Sequence, residues 1–267
     1  MGIAFFYEFD VGNKHFDNPQ KNIVSWTSQA EGDFSIENIT SESTRHRWRS
    51  ANVLTEQVIV LKAEQASAID TIALLGHNFS EEASIFLEAN IDDNWIAPPV
   101  KIRLPWSEDN IVYYTDQIGN DNSYYRIRVL DPTNQCGHVE LGRFMAGRSL
   151  TLADNNEDMT DSYSIAYKDM SEKMKMQGFF AQSNENVLMR SLSASFSKLE
   201  TRTGFDENYV NLRSMFRYVK TTKPFLFIQE TNNPNKLNIW GLMKDIPNDS
   251  FGIGDYVSFG FKMEEVF

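Results

Sequence analysis

The amino-acid sequence predicts a mainly β protein, an N-terminal jelly-roll β-sandwich followed by a second β-rich domain that carries one α-helix. Apolar and polar residues alternate with period two in successive segments, the form a half-buried strand takes. Tyr125, Ile127 and Val129, for example, alternate with Arg126 and Arg128. Turn-forming residues close these segments, as at Gly76-His77-Asn78 and Asp131-Pro132, and no amphipathic helix of useful length interrupts the series before Gly147. Aromatic residues make up 13% of the chain, with 19 Phe, 10 Tyr and 5 Trp, and such side chains suit pleated surfaces and contacts with partners.

Residues 1–40 are expected as a leader or arm, rich in Asn, Asp and Ser, in which Phe5, Phe6 and Tyr7 suit either a short strand or a segment docked on a neighbour. Residues 41–150 read as the sandwich, with strands over 45–49, 57–62, 69–75, 83–89, 111–115, 124–130 and 138–145. Ala83, Ile85, Leu87 and Ala89 share one face of their strand. The stretch from Ala153 to Asp161 is polar and acidic and reads as a linker or exposed loop, which places a domain boundary near residue 150. In 151–267, a β-rich assembly domain, Leu192, Ala194 and Phe196 alternate with serines. The period then changes: Tyr209, Leu212, Phe216 and Val219 fall on one helical face. Thr203 with Asp206 suits the helix start and Lys223-Pro224 its end. Strands resume at 225–229, 237–243 and 256–264, the last with Val257, Phe259, Phe261 and Met263 on one face.

At 267 residues, 41% of them hydrophobic, the chain can fill one large core or two ordinary ones. Its formal charge of −12 repels a phosphate backbone, so nucleic acid is not an expected partner. The single cysteine, Cys136, allows neither an intrachain disulfide nor a Cys-based zinc site, which suits folding in a reducing compartment. The N-terminus lacks the basic segment of a secretory leader, and Phe6 stands where a myristoylation signal has Ser or Thr. No apolar run approaches the ~20 residues of a membrane span.

Motifs for chemistry are missing. His15, His46, His77 and His138 are scattered, without the spacing of metal ligands. Gly147 to Thr151 is one glycine short of a nucleophile elbow, and the Gly252 and Gly254 pair lacks the third glycine of a dinucleotide loop, with Val257 in its place. Glu81 and Glu82, Asp92 and Asp93, and Glu264 and Glu265 are carboxylate neighbours. Such pairs become an acid and a base only where their surroundings separate their pKa values, which adjacency in polar loops does not do. Asp92, Asp93 and Asn94 could offer oxygens to calcium, against the plainer reading of a solvated loop. No catalytic, cofactor-binding or metal residue is expected, and the protein is not expected to be an enzyme.

Two groups of residues are candidates for binding. In a strand over 45–49, Arg45, Arg47 and Arg49 would share a face opposite His46 and Trp48. They form either a docking stripe for an acidic neighbour or anionic glycan, or a set of arginines paired to local carboxylates around a core tryptophan. Trp95 and Trp106 sit in loop-like stretches near prolines. Each suits stacking on a sugar ring or anchoring a protein contact, or else plugging the end of the sandwich.

Trp48-Arg49-Ser50, the strand into Leu75-Gly76-His77-Asn78, the run from Tyr124 to Arg128, and Gly142-Arg143 with Gly147 together resemble a discoidin-type, galactose-binding-like jelly roll. The version they resemble occurs in tail proteins of bacterial viruses. There a second β-rich region begins with a segment similar to Gly142-Arg143-Phe144-Met145-Ala146-Gly147 and later carries a Trp-Gly strand like Ile239-Trp240-Gly241-Leu242. The resemblance spans roughly residues 40–265 through short motifs. It implies a structural virion protein of a bacteriophage tail, made in the host cytoplasm: a connector, a baseplate or distal-tail subunit, or a fibre-attachment protein. Its partners would be other tail proteins, in a homo-oligomeric ring or fibre base, with no cofactor, nucleic acid or membrane insertion. The alternative is a carbohydrate-binding module for host-surface adhesion. In either reading Arg45, Arg47, Arg49, Trp95 and Trp106 are the interface or glycan contacts.

Overall fold

A computed structural model describes residues 3–11, 23–67, 69–115, 118, 122–152, 162–169, 173–176, 179–182, 188–200, 207–247, 250–251 and 256–266. The described chain is mainly antiparallel β with one helix, and it divides into two units. One comprises Met1–Thr151 with Ile228–Asn238, the other Leu152–Phe227 with Ile239–Val266.

The first unit holds strands β1 (Ile3–Val11), β2 (Ile23–Trp26), β3 (Trp48–Arg49), β4 (Gln57–Ser67), β5 (Thr71–Leu75), β6 (Ser84–Asn90), β7 (Val100–Arg103), β8 (Asn110–Tyr114), β9 (Asn122–Leu130), β10 (Glu140–Leu141) and β11 (Arg143–Leu152). One sheet has the order β2-β4-β9-β6-β7, and β1, β11, β5 and β8 lie side by side in the other. β3 pairs with β10 apart from both. Going along the chain from β4 to β11, most connections cross from one sheet to the other, which is how a jelly roll closes. The inward residues are those the period-two pattern marks. Ile59 and Leu61 of β4, Ile85 and Leu87 of β6 and Ile127 and Val129 of β9 meet Ile72 and Leu74 of β5, Ile111 of β8 and Phe144 of β11. Burying each such side chain contributes about 1.5–3 kcal/mol.

Several expected boundaries move. The strand over 45–49 shortens to Trp48–Arg49, leaving Arg45 and Arg47 in the preceding turn. The strand over 138–145 breaks at Gly142, where an added Cβ would stand 2.7 Å from the Thr44 carbonyl oxygen and 3.1 Å from that of Leu75. Its amide instead donates to Leu75 O at 3.0 Å. Within residues 1–40, Ile3–Val11 takes the strand alternative, with Phe5 and Phe6 fully buried. β2 pairs with β4, and a 3-10 helix, Ile36–Thr40, puts Ile36 and Ile39 into the core.

The second unit contains β12 (Ser162–Asp169), the hairpin of β13 (Lys173–Met176) with β14 (Phe179–Gln182), β15 (Leu188–Glu200), α1 (Glu207–Val219), β16 (Phe225–Ile228), β17 (Asn238–Met243), β18 (Ser250–Phe251) and β19 (Tyr256–Glu265). Its sheet runs β12-β15-β19-β17-β16, with β18 also on β19. Helix α1 buries Leu212, Met215, Phe216 and Val219, the stripe its 3.6-residue period marks. It ends where Lys220 turns to φ 51°, with the Lys223 amide closing onto Val219 O and Pro224 following. The expected helix start at Thr203 and Asp206, and the polar stretch from Ala153 to Asp161, lie outside the described residues. Phe261 sits 5.7–6.2 Å from the rings of Phe196, Phe216, Phe225 and Phe227. Beside Trp240, Gly241 allows β17 to approach β19 so closely that any Cβ would overlap the Glu264 carbonyl.

Candidate functional site

The candidate site grows from the short β3–β10 ladder, in which Arg49 faces Glu140 and Trp48 faces Leu141. Trp48 and Leu141 are each 1% exposed and belong to the core, so their neighbours Arg49 and Glu140 point the other way, toward the surface. Trp48 is fixed from within by its Nε1–H, which donates to Ser28 O at 3.1 Å.

Glu140 is the hub. Its Oε1 accepts from Arg49 Nε at 2.8 Å and lies 3.1 Å from His138 Nε2, while Oε2 accepts from Arg47 Nη1 at 3.1 Å. The Arg49 guanidinium lies 3.6 Å from the centre of the Phe34 ring. A polar network holds the cluster from behind. The Glu140 amide donates to Asn78 Oδ1 at 2.7 Å, and Asn78 Nδ2 donates to His138 O at 3.0 Å. Asn134 Nδ2 ties Asn78 O to the buried Asp131, which also accepts from Ser80. The Gly76-His77-Asn78 turn, with Gly76 at φ 63°, is thus structural. His77 accepts from the Phe79 amide through Nδ1 at 3.1 Å and stacks on the Phe79 ring, and burial pushes its imidazole down to about 4.

Burial would raise the Glu140 carboxyl, but the hydrogen bonds and charges of Arg49 and Arg47 outweigh it and hold the group below the usual carboxylate range. A carboxylate kept ionised by two arginines is a poor proton donor at neutral pH. It is well suited to presenting fixed hydrogen-bonding groups. Side-chain exposures of 39% for Arg47, 30% for Arg49 and 25% for His138 leave that edge open to a ligand, while Glu140 at 11% is largely covered.

The other expected contacts do not join this cluster. Arg45 is exposed and makes no ion pair among the described residues. Trp106 is tied to the same end of the sandwich by its Nε1–H donating to Phe79 O at 2.9 Å, and it packs against the core. Trp95 lies at the opposite end. It follows β6, whose last residue Asn90 pairs with Tyr124 near the start of β9, whereas Ser84 pairs with Leu130 at the finish of β9. That separation spans six residues along β9, roughly 20 Å. The Trp95 Nε1–H donates to Asp93 at 2.5 Å and Arg126 lies 4.4 Å over its ring. Asp92 accepts the Asn94 amide at 3.2 Å, so the Asp92–Asn94 turn is closed by its own N–H groups. Among the described residues no group of three or more His, Cys, Asp and Glu side chains is placed to hold a metal ion.

Sequence reasoning missed Glu140 and Phe34, and read Asn78 only as part of a turn. A signal existed for the first: Val139 and Leu141 alternate with His138 and Glu140, so an acid had to emerge from the face beside the arginines. Nothing local pointed to Phe34.

No family model matches the chain, and no curated protein matches it. Among solved structures it is similar to a CBM32 module from a family 31 glycoside hydrolase of Clostridium perfringens, at 18% identity over 48% of this chain and 92% of that one, TM-score 0.38. It is similar also to a chitosan-binding module, in complex with chitotriose, from a chitosanase/glucanase of Paenibacillus sp. IK-5 (15% identity, 49% of this chain, 99% of that one, TM-score 0.36). A third is the N-terminal domain of the single-strand break repair protein XRCC1 (14%, 52%, 99%, TM-score 0.39). At such scores these likenesses carry neither ligand nor role across to this chain, and the jelly roll rests on its own strand pairing.

Proposed function

We propose that the first unit is a carbohydrate-binding module, and that its glycan site is the Arg47–Glu140–Arg49–His138 cluster beside Phe34. The observation that carries this reading is Glu140 held by two arginines at a part-exposed edge, one of them lying over an aromatic ring. Planar guanidinium groups fixed by a carboxylate present paired N–H donors, which match adjacent sugar hydroxyls, and they reach that geometry before any ligand arrives. The protein acts by binding and not by catalysis. The virion reading gains no support from the motifs that suggested it, because Gly142 and Gly241 are where neighbouring backbone leaves no room for a side chain.

Glycan-array binding followed by calorimetry tests the proposal. The native chain should bind a subset of neutral or acidic sugars, and Glu140→Gln or Arg49→Met should weaken that binding by about tenfold or more. Trp95→Ala, at the far end of the sandwich, should leave it within about twofold. A native chain that binds nothing across a broad array, or binding indifferent to both cluster variants, would overturn the assignment.

A further inference from the structure

The outer face of the sheet β2-β4-β9-β6-β7 differs from the rest of this acidic chain. Because Ile85, Leu87, Ile127 and Val129 point into the core, their neighbours point outward, and the register sets them side by side: Arg126 opposite Glu88, Arg128 opposite Phe86, Lys101 opposite Glu88 and Arg103 opposite Phe86. Lys62 stands opposite Tyr124 at the end of the same face. Glu88 is 1% exposed, and it accepts from Arg126 Nε at 2.6 Å and Arg128 Nη1 at 2.9 Å, with Lys101 at 3.8 Å. Arg128 also reaches Glu56 at 2.6 Å. Each aromatic ring here has a cation over it: Arg126 at 4.4 Å from Trp95, Lys62 at 5.2 Å from Tyr124 and Lys101 at 5.4 Å from Phe86.

Two consequences follow. With cations over their faces, these rings are not open for stacking, and the face is an array of arginine, lysine and aromatic groups of the kind that anchors protein contacts. Among the described residues its five cations face three carboxylates, Glu56, Glu88 and the Asp93 bonded to Trp95, a net +2 on a chain of −12, so the remainder carries −14. A second copy of the same chain is therefore net anionic away from this face, the Arg45, Arg47 and Arg49 group being a further local exception.

We infer that this face docks the acidic end of a second copy of the chain. That end is formed by Glu81 and Glu82 between β5 and β6 and by Glu108 between β7 and β8. All three are exposed and in no ion pair among the described residues. The Trp106–Phe79 hydrogen bond ties the two loops together. Two cationic faces repel one another, so the contact joins unlike surfaces: a single face-to-end contact builds rings or filaments, and a reciprocal pair of them closes a two-fold dimer. The inference stands apart from the glycan site, whose residues it does not use.

Sedimentation velocity on the full chain tests it. At about 50 mM salt the native chain should self-associate, and about 500 mM should weaken this at least tenfold. Lys101→Glu with Arg103→Glu, and separately Glu81→Lys with Glu82→Lys, should each abolish self-association while leaving circular dichroism unchanged. Mixing the two variants should restore association at equal stoichiometry, since the reversed face then meets the reversed end and the native face meets the native end. A native chain that stays monomeric at low salt up to about 100 μM overturns the inference. So does a mixture that fails to associate, or a face that takes heparin with no change in self-association.

Discussion

Acidification should weaken the first unit before any carboxylate is protonated, and His77 is the reason. The imidazole is 9% exposed, accepts the Phe79 amide through Nδ1 and stacks on the Phe79 ring at 4.6 Å. Burial lowers it from 6.5 to about 4, with the Ser107 backbone, Asp109 and Asp131 opposing the effect and Arg47 adding to it. Because the folded value lies below the unfolded one, the unfolded chain takes the proton first. Stability is therefore full above about pH 6.5, falls between 6.5 and 4, and levels off below. Between pH 7 and pH 5 the linkage amounts to about 2 kcal/mol, and over the whole window to about 3 kcal/mol. Urea unfolding at pH 7, 6 and 5 measures it, with His77→Asn as the reference, since Asn keeps an acceptor for the Phe79 amide and does not titrate. The variant should be less stable than the native chain at pH 7 and should lose about 2 kcal/mol less on going to pH 5. Parallel pH dependences for the two proteins would refute the reasoning, because His15, His46 and His138 are common to both.

Two further substitutions probe packing and charge. Gly241→Ala should destabilise the second unit by about 1–3 kcal/mol, because the new methyl meets the Glu264 backbone and not a movable side chain; thermal unfolding reads the shift, and an unchanged midpoint would contradict the close approach of β17 to β19. Glu88→Gln should cost about 2 kcal/mol in urea unfolding, less than a fully buried ion pair because Arg126 and Arg128 keep 16% and 25% side-chain exposure, and a neutral result would mean the arginines find solvent as readily as they find Glu88.

What the sequence disclosed and what it hid follow from the range of the interactions. Period-two alternation is local, so β6, β9 and β15 could be read directly. β7 was missed because four residues, with Val100 and Ile102 half-buried and Lys101 and Arg103 exposed, lie just after Pro98 and Pro99 and give too short a pattern. The break at Gly142 depends on the Thr44 carbonyl, which no local pattern shows. The candidate site was half legible for the same reason. The arginines announced themselves as a cluster, while the carboxylate that fixes two of them arrives from 91 and 93 residues away. Trp95 and Trp106 looked equivalent as loop aromatics, yet strand register sends them to opposite ends.

The charge distribution was the least legible of all. A net charge of −12 argued against anionic partners for the chain as a whole, which is sound only if charge is spread evenly. Lys62, Lys101, Arg103, Arg126 and Arg128 are scattered along 67 residues and become one face only when β4, β9, β6 and β7 pair. The alternation of Arg126 and Arg128 with core residues already required both to emerge on one side. What it could not give was Glu88 beneath them, and so whether the arginines were spent on the fold or left for a partner. The structure assigns Arg126 and Arg128 to the fold and leaves Lys62, Lys101 and Arg103 at the surface, so any partner of this face is held mainly by the lysines and Arg103. Salt should then weaken that contact sooner than it weakens the Glu88 pairs beneath it.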